Sequence, residues 1–93
     1  MTIIASHLII SGRVQGVFYR NWTVATARTL GLAGWVRNRL NGDVEALVQG
    51  DPAAVAHFVT LAWQGPPAAR VDAIAQTPAD IGEFDGFAQR ATA

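Results

Sequence analysis

Asn41-Gly42 stands between two runs of strand-forming residues, Leu32 to Arg39 and Val44 to Gln49. Asn-Gly between such runs is the strongest short-range hairpin signal a sequence carries. It commits the middle of the chain to an antiparallel pair, and a chain of 93 residues has room for one core in which to bury that pair. On each side the same alternation of element types recurs. Upstream, Ile3 to Ser11 is dense in β-branched residues and predicts a strand. Asn21 to Leu30 predicts a helix stopped by Gly31, with Tyr19, Thr23, Ala27 and Leu30 along one face. Downstream, Asp51-Pro52 marks a helix start: a capping acceptor, then proline where a missing N–H does no harm. That helix carries Val55, Phe58, Val59 and Ala62 on one face and ends at Gly65-Pro66-Pro67. Arg70 to Gln76 predicts a fourth strand with Val71, Ala73 and Ala75 alternating; Pro78 to Glu83 reads as loop, and Phe84 to Arg90 as a short closing strand.

The order β-α-β-β-α-β with a terminal extension predicts one α+β domain over residues 1–93, a ferredoxin-like sandwich whose antiparallel sheet has both helices packed on one face. Many unrelated functions use that architecture, so function has to come from particular residues. The chain has no cysteine, which removes disulfides, thiolate metal sites and thiol nucleophiles. No apolar stretch approaches the roughly 20 residues that span a bilayer, and Met1 to Ile10 shows neither a basic region nor a small-residue cleavage site. A cytoplasmic monomer with no membrane partner is the expectation.

Charge is distributed unevenly. From Met1 to Gly42 there are five arginines (Arg13, Arg20, Arg28, Arg37, Arg39) and no acid, whereas from Asp43 onward seven acids face only Arg70 and Arg90. There is no lysine. The rigid guanidinium fork suits carboxylate and phosphate, so the first half is fitted to a small anion. Nucleic acid is not expected as a partner, because the domain as a whole is neutral and lacks an aromatic RNA-binding signature.

The stretch Gly12-Arg-Val-Gln-Gly-Val-Phe-Tyr-Arg20 joins the first strand to the first helix. Its glycines let the backbone turn, and a loop wrapping toward a helix N-terminus can aim several N–H groups at one anion. Arg20 then falls in the first helical turn, where a cation opposes the helix dipole by about 0.3–1 kcal/mol; a bound phosphate would remove the conflict. The pattern is neither a nucleotide P-loop nor a dinucleotide fingerprint. Taken by itself it is also a common connection, and an arginine there is ordinarily solvated.

The residues of this loop closely resemble the signature of the acylphosphatase family. Gly34-Trp-Val-Arg-Asn38 with the hairpin glycine Gly42 resembles that family's second motif, and Arg70-Val-Asp72 and Gly86-Phe-Ala-Gln-Arg90 resemble later landmarks. The resemblance runs from about His7 to Arg90. It implies hydrolysis of the mixed anhydride between a carboxyl group and phosphate, with a small acyl phosphate as substrate and no metal or cofactor. It implies that Arg20 binds the substrate phosphate, that Asn38 positions the attacking water, and that the backbone amides of Gln15, Gly16, Val17, Phe18 and Tyr19 cradle phosphate oxygens. Elementary chemistry agrees. A carboxylate, whose acid has a pKa near 4, leaves without a general acid, and phosphoryl transfer rests on positioning and charge stabilisation. Strand alternation places Asn38 on the face of Val36, the helix-covered side, and turns Arg37 and Arg39 toward solvent.

Other residues are read more plainly. Asn41 serves the turn, Asp43 and Glu45 are solvated carboxylates, and Arg13 is structural or peripheral. Trp22, Trp35 and Trp63 pack, and His7 and His57 form neither a metal site nor an acid–base pair. Arg39, Leu40 and Gln89 depart from the family pattern, which bears on access to the site and on packing of the closing strand. Two alternatives share the fold: a non-catalytic anion-binding regulatory module, and a carbamoyl-phosphate-processing domain of a larger enzyme. A single-stranded RNA binder is the weakest alternative.

Overall fold

In the computed structural model, which describes residues 2–93, the elements follow the expected order: β1 (Ile4–Arg13), α1 (Tyr19–Thr29), β2 (Ala33–Asn38), β3 (Val44–Gly50), α2 (Pro52–Ala62), β4 (Arg70–Ala79) and β5 (Phe87–Gln89). The central hairpin pairs β2 with β3 from Ala33↔Gln49 to Asn38↔Val44. It closes through a longer turn than a two-residue Asn-Gly loop. The Arg39 N–H donates to Asp43 O at 2.8 Å and the Gly42 N–H to Arg39 O at 3.2 Å. Gly42 carries the positive φ, at 100°. As expected, Asn41 serves this turn, its Oδ1 accepting from the Asp43 N–H at 3.0 Å.

The sheet order is β4-β1-β3-β2-β5. The first four strands pair antiparallel with one another, as expected, but β5 runs parallel to β2, pairing Gly34↔Phe87 through Val36↔Gln89. The terminal extension therefore makes the sheet mixed. One face buries Leu8, Ile10, Val36, Val44, Ala46 and Val48 against Tyr19 and Ala27 of α1 and Val55, Phe58 and Ala62 of α2, so both helices cover the same side. Trp22 packs at the edge of this core between the rings of Tyr19 and Phe58, 5.5 and 6.2 Å away.

Three local expectations change. β4 extends through Ala79, so Pro78 lies in a strand rather than a loop; it is tolerated because β4 is a sheet edge. The alternation of Val71, Ala73 and Ala75 breaks: Val71 and Ile74 pack against the core, because a bulge shifts the register between Ser11 and Gly12. Gly12 is required there, since a Cβ would lie 2.2 Å from Arg70 O. Trp63, expected to pack, lies at the end of α2 and is 48% exposed.

α2 begins as its sequence dictates, with Asp51 Oδ1 accepting from the Ala53 N–H at 2.9 Å and proline following it. At its other end the Tyr19 hydroxyl donates to Ala62 O at 2.5 Å. This buried bond ties the start of α1 to the end of α2, and burial pushes the Tyr19 phenol far above its ordinary pKa.

Candidate active site

The loop from Val14 to Phe18 turns the chain out of β1 into α1. Gly16 makes the turn at φ 72°, and Phe18 follows at φ 65°, ψ 24°. Phe18 is the only non-glycine residue with positive φ among those described. It is also the N-terminal residue of α1 in the capping position, and it supplies no side-chain cap; no acid occupies the first turn. No acceptor among the described residues receives the N–H groups of Gln15 to Arg20. Those donors and the positive end of the helix dipole are therefore left without a partner, beside an arginine.

This end of α1 opens onto a pocket of about 310 Å³ lined by Val14, Gly16, Phe18, Tyr19, Arg20, Asn21 and Asn38. Arg20 is half-buried and has no ion-pair partner among the described residues. Asn38 enters from the last residue of β2, on the same face as the fully buried Val36, as strand alternation requires. Its Oδ1 is buried with no hydrogen-bond partner. Leaving such an acceptor unmatched costs about 1–3 kcal/mol, which the fold tolerates where a bound group supplies the missing donor.

The expected site residues divide into two sets. Gly16, Phe18, Tyr19, Arg20 and Asn38 line one pocket. The Val17 side chain is buried in the core cluster and the Gln15 side chain faces the hairpin, neither of which bears on the backbone amides expected to hold phosphate. Gln15 Nε2 donates to Arg39 O at 2.7 Å and to Asp43 O at 2.8 Å. Gln15 thus ties the loop to the turn that follows Asn38. On the far side of the same strand end, the Ala93 N–H donates to Asn38 O at 3.1 Å and the Leu40 N–H to Ala93 O at 2.9 Å. Sequence reasoning missed Asn21, whose Oδ1 accepts a hydrogen bond from Gln89 Nε2 of β5. Gln89 thereby joins β5 to the helix end at the pocket.

Behind Asn38, on the open face of the sheet, Glu45 is not the solvated carboxylate expected. It is buried, accepting from Arg37 Nε at 2.6 Å and Arg39 Nη1 at 3.2 Å, with His7 Nε2 2.6 Å away. Burial pushes its carboxyl up, but the hydrogen bonds with His7, Arg37 and Arg39 outweigh that and hold it at about 2. Arg37 and Arg39 do face away from Asn38, but toward this carboxylate. Arg37 and Arg90 also lie over Trp35, each 4.9 Å from the ring centroid. Among the described residues no three His, Cys, Asp or Glu side chains are grouped to hold a metal, and no helix is long and apolar enough to cross a membrane.

Fold and pocket together define a two-layer α+β domain with a pocket at a helix N-terminus, lined by an arginine and a carboxamide. The acylphosphatase family model matches residues 6–89. An acylphosphatase of Acidiphilium cryptum (strain JF-5) is 53% identical over 90 residues, covering 97% of this chain and 99% of that protein. The solved structure of an acylphosphatase from Coxiella burnetii superposes with a TM-score of 0.92 at 33% identity, over 95% of this chain and 93% of that one. Full-length HypF in its phosphate- and nucleotide-bound form also contains the fold (TM-score 0.90, 26% identity), but this chain spans only 12% of it. The chain belongs to the acylphosphatase family. The activity expected from its two motifs, hydrolysis of acyl phosphates, follows from that membership, and neither alternative on the same fold is favoured.

Proposed function

We propose that the pocket between α1 and the end of β2 is where the acyl phosphate is hydrolysed, with Arg20 and the loop amides holding the phosphoryl group and Asn38 orienting the water. The buried, unpartnered Oδ1 of Asn38 in the pocket that Arg20 lines carries this reading. Phosphate oxygens accept from the N–H groups of the 15–19 loop and from the guanidinium, which meets the donors that the protein leaves unmatched. A water O–H donates to Asn38 Oδ1, which aims the water's lone pair at phosphorus. The new P–O bond forms as the bond from phosphorus to the acyl oxygen breaks. The carboxylate departs with the bonding pair, and the water's proton passes to the phosphate product or to solvent. No general acid is needed because the leaving group is a weak base. The positioned donors act where charge develops on the transferring group. We further propose that the enzyme works as a cytoplasmic monomer acting on small molecules.

Asn38→Ala tests it. Turnover should fall by about 10²–10⁴, as for removal of a positioned polar group, while inhibition by inorganic phosphate changes little because Arg20 and the amides remain. Rate loss without binding loss marks an interaction made mainly in the transition state. Asn41→Ala is the control: it loses the turn bond to Asp43 and should lower the melting temperature while turnover holds. Near-wild-type turnover in Asn38→Ala overturns the mechanism.

A further inference from the structure

Phe18 carries two unfavourable features that nothing in the fold repays. Its backbone sits in the left-handed region without being glycine, a conformation that needs outside support. Its ring is 77% exposed and belongs neither to the core cluster nor to any aromatic pair. By contrast the next residue, Tyr19, is buried and hydrogen-bonded. Both features fall at the lip of the pocket that Arg20 and Asn38 line. With the phosphoryl end held by the loop amides and Arg20, the acyl end has to project out of the pocket mouth. There the lining residues Gly16, Arg20, Asn21 and Asn38 offer polar or no side-chain surface, Val14 and Tyr19 are buried, and Phe18 alone presents an exposed apolar face.

We propose that the Phe18 ring is the acyl-group contact of this site, directing the enzyme toward phosphate anhydrides of aromatic or other ring-sized apolar carboxylic acids over those of small acids. This rests on the catalytic reading above. Phe18 belongs by its backbone N–H to the loop assigned to the phosphoryl group, while its ring is exposed, so one residue serves both ends of the substrate. An apolar acyl group stacked on the ring withdraws two exposed apolar surfaces from water, and such contacts between rings favour association by about three- to tenfold.

The test compares kcat/KM for benzoyl phosphate and acetyl phosphate in the wild type, Phe18→Gly, Phe18→Leu and Phe18→Tyr. Glycine suits the backbone at this position, so that variant is not at risk of failing to fold, and melting temperature checks each protein. Any disturbance of the loop amides moves both substrates and the inhibition constant for inorganic phosphate together. The ratio of the two kcat/KM values therefore isolates the side chain. It should fall about three- to tenfold in Phe18→Gly, fall less in Phe18→Leu, and return to the wild-type value in Phe18→Tyr. A ratio unchanged in Phe18→Gly, in a wild type that turns over both substrates and is competitively inhibited by phosphate, overturns this inference and leaves the catalytic reading standing. Absence of competitive phosphate inhibition in the wild type overturns both.

Discussion

Arg20 occupies a position that a helix by itself would disfavour. It lies in the first turn of α1 with no acid beside it and no ion-pair partner among the described residues. Arg20→Ala should lower kcat/KM by about 10²–10³, the usual effect of losing one donor to a developing charge, and should nearly abolish inhibition by inorganic phosphate. Arg20→Lys should fail as well, because an ammonium offers no bidentate fork. Equal phosphate inhibition constants in wild type and Arg20→Ala would rule Arg20 out as the ligand. At this scale the sequence was most legible. The residue types of two short motifs pointed to Arg20 and Asn38, and strand alternation placed Asn38 on the covered face. Phe18 was less legible, since its backbone conformation and its exposure are not properties of a motif.

The elements carrying these residues are held in register by bonds that neither motif displays. Gln15 spans from the loop to the hairpin turn, and its two acceptors are backbone carbonyls 24 and 28 positions away. Any residue supplies a carbonyl, so no residue type at Arg39 or Asp43 announces this contact. The C-terminal residue holds the same strand end from the β5 side. Gln15→Ala should lower turnover about tenfold through lost alignment of Asn38 with the loop. It should also cost about 1–2 kcal/mol for two hydrogen bonds, read as a fall in melting temperature of roughly 4–16 °C for a domain of this size. Phosphate inhibition should shift less than turnover; a larger shift in inhibition than in turnover would show that Gln15 shapes the amide cradle rather than its alignment with Asn38.

Across the whole molecule, the open face of the sheet gathers charged groups from three strands and the hairpin turn. His7 from β1 and Arg37 from β2 meet Glu45 of β3, with Arg39 of the turn completing the cluster. Glu45 lies at about 2 in the fold, below the ordinary value of 4.5. Its contribution is therefore complete above about pH 4.5 and is lost as pH falls toward 2, an amount on the order of 2 kcal/mol after allowing for the half-exposed arginines. Denaturant titrations should show wild-type stability declining across that window. Glu45→Gln should be less stable at neutral pH and should lack this part of the decline; parallel curves for the two proteins would refute the assignment. The sequence by itself determined the element order, the hairpin, the helix start at Asp51-Pro52 and the two motifs, because each depends on residues within a few positions of one another. Only the tertiary structure decided the parallel placement of β5, the bulge that redirects Val71 and Ile74, the burial of Glu45 and the bracing by Gln15. Each of these depends on which distant backbone or charge lies alongside, and that follows from packing the whole sheet at once.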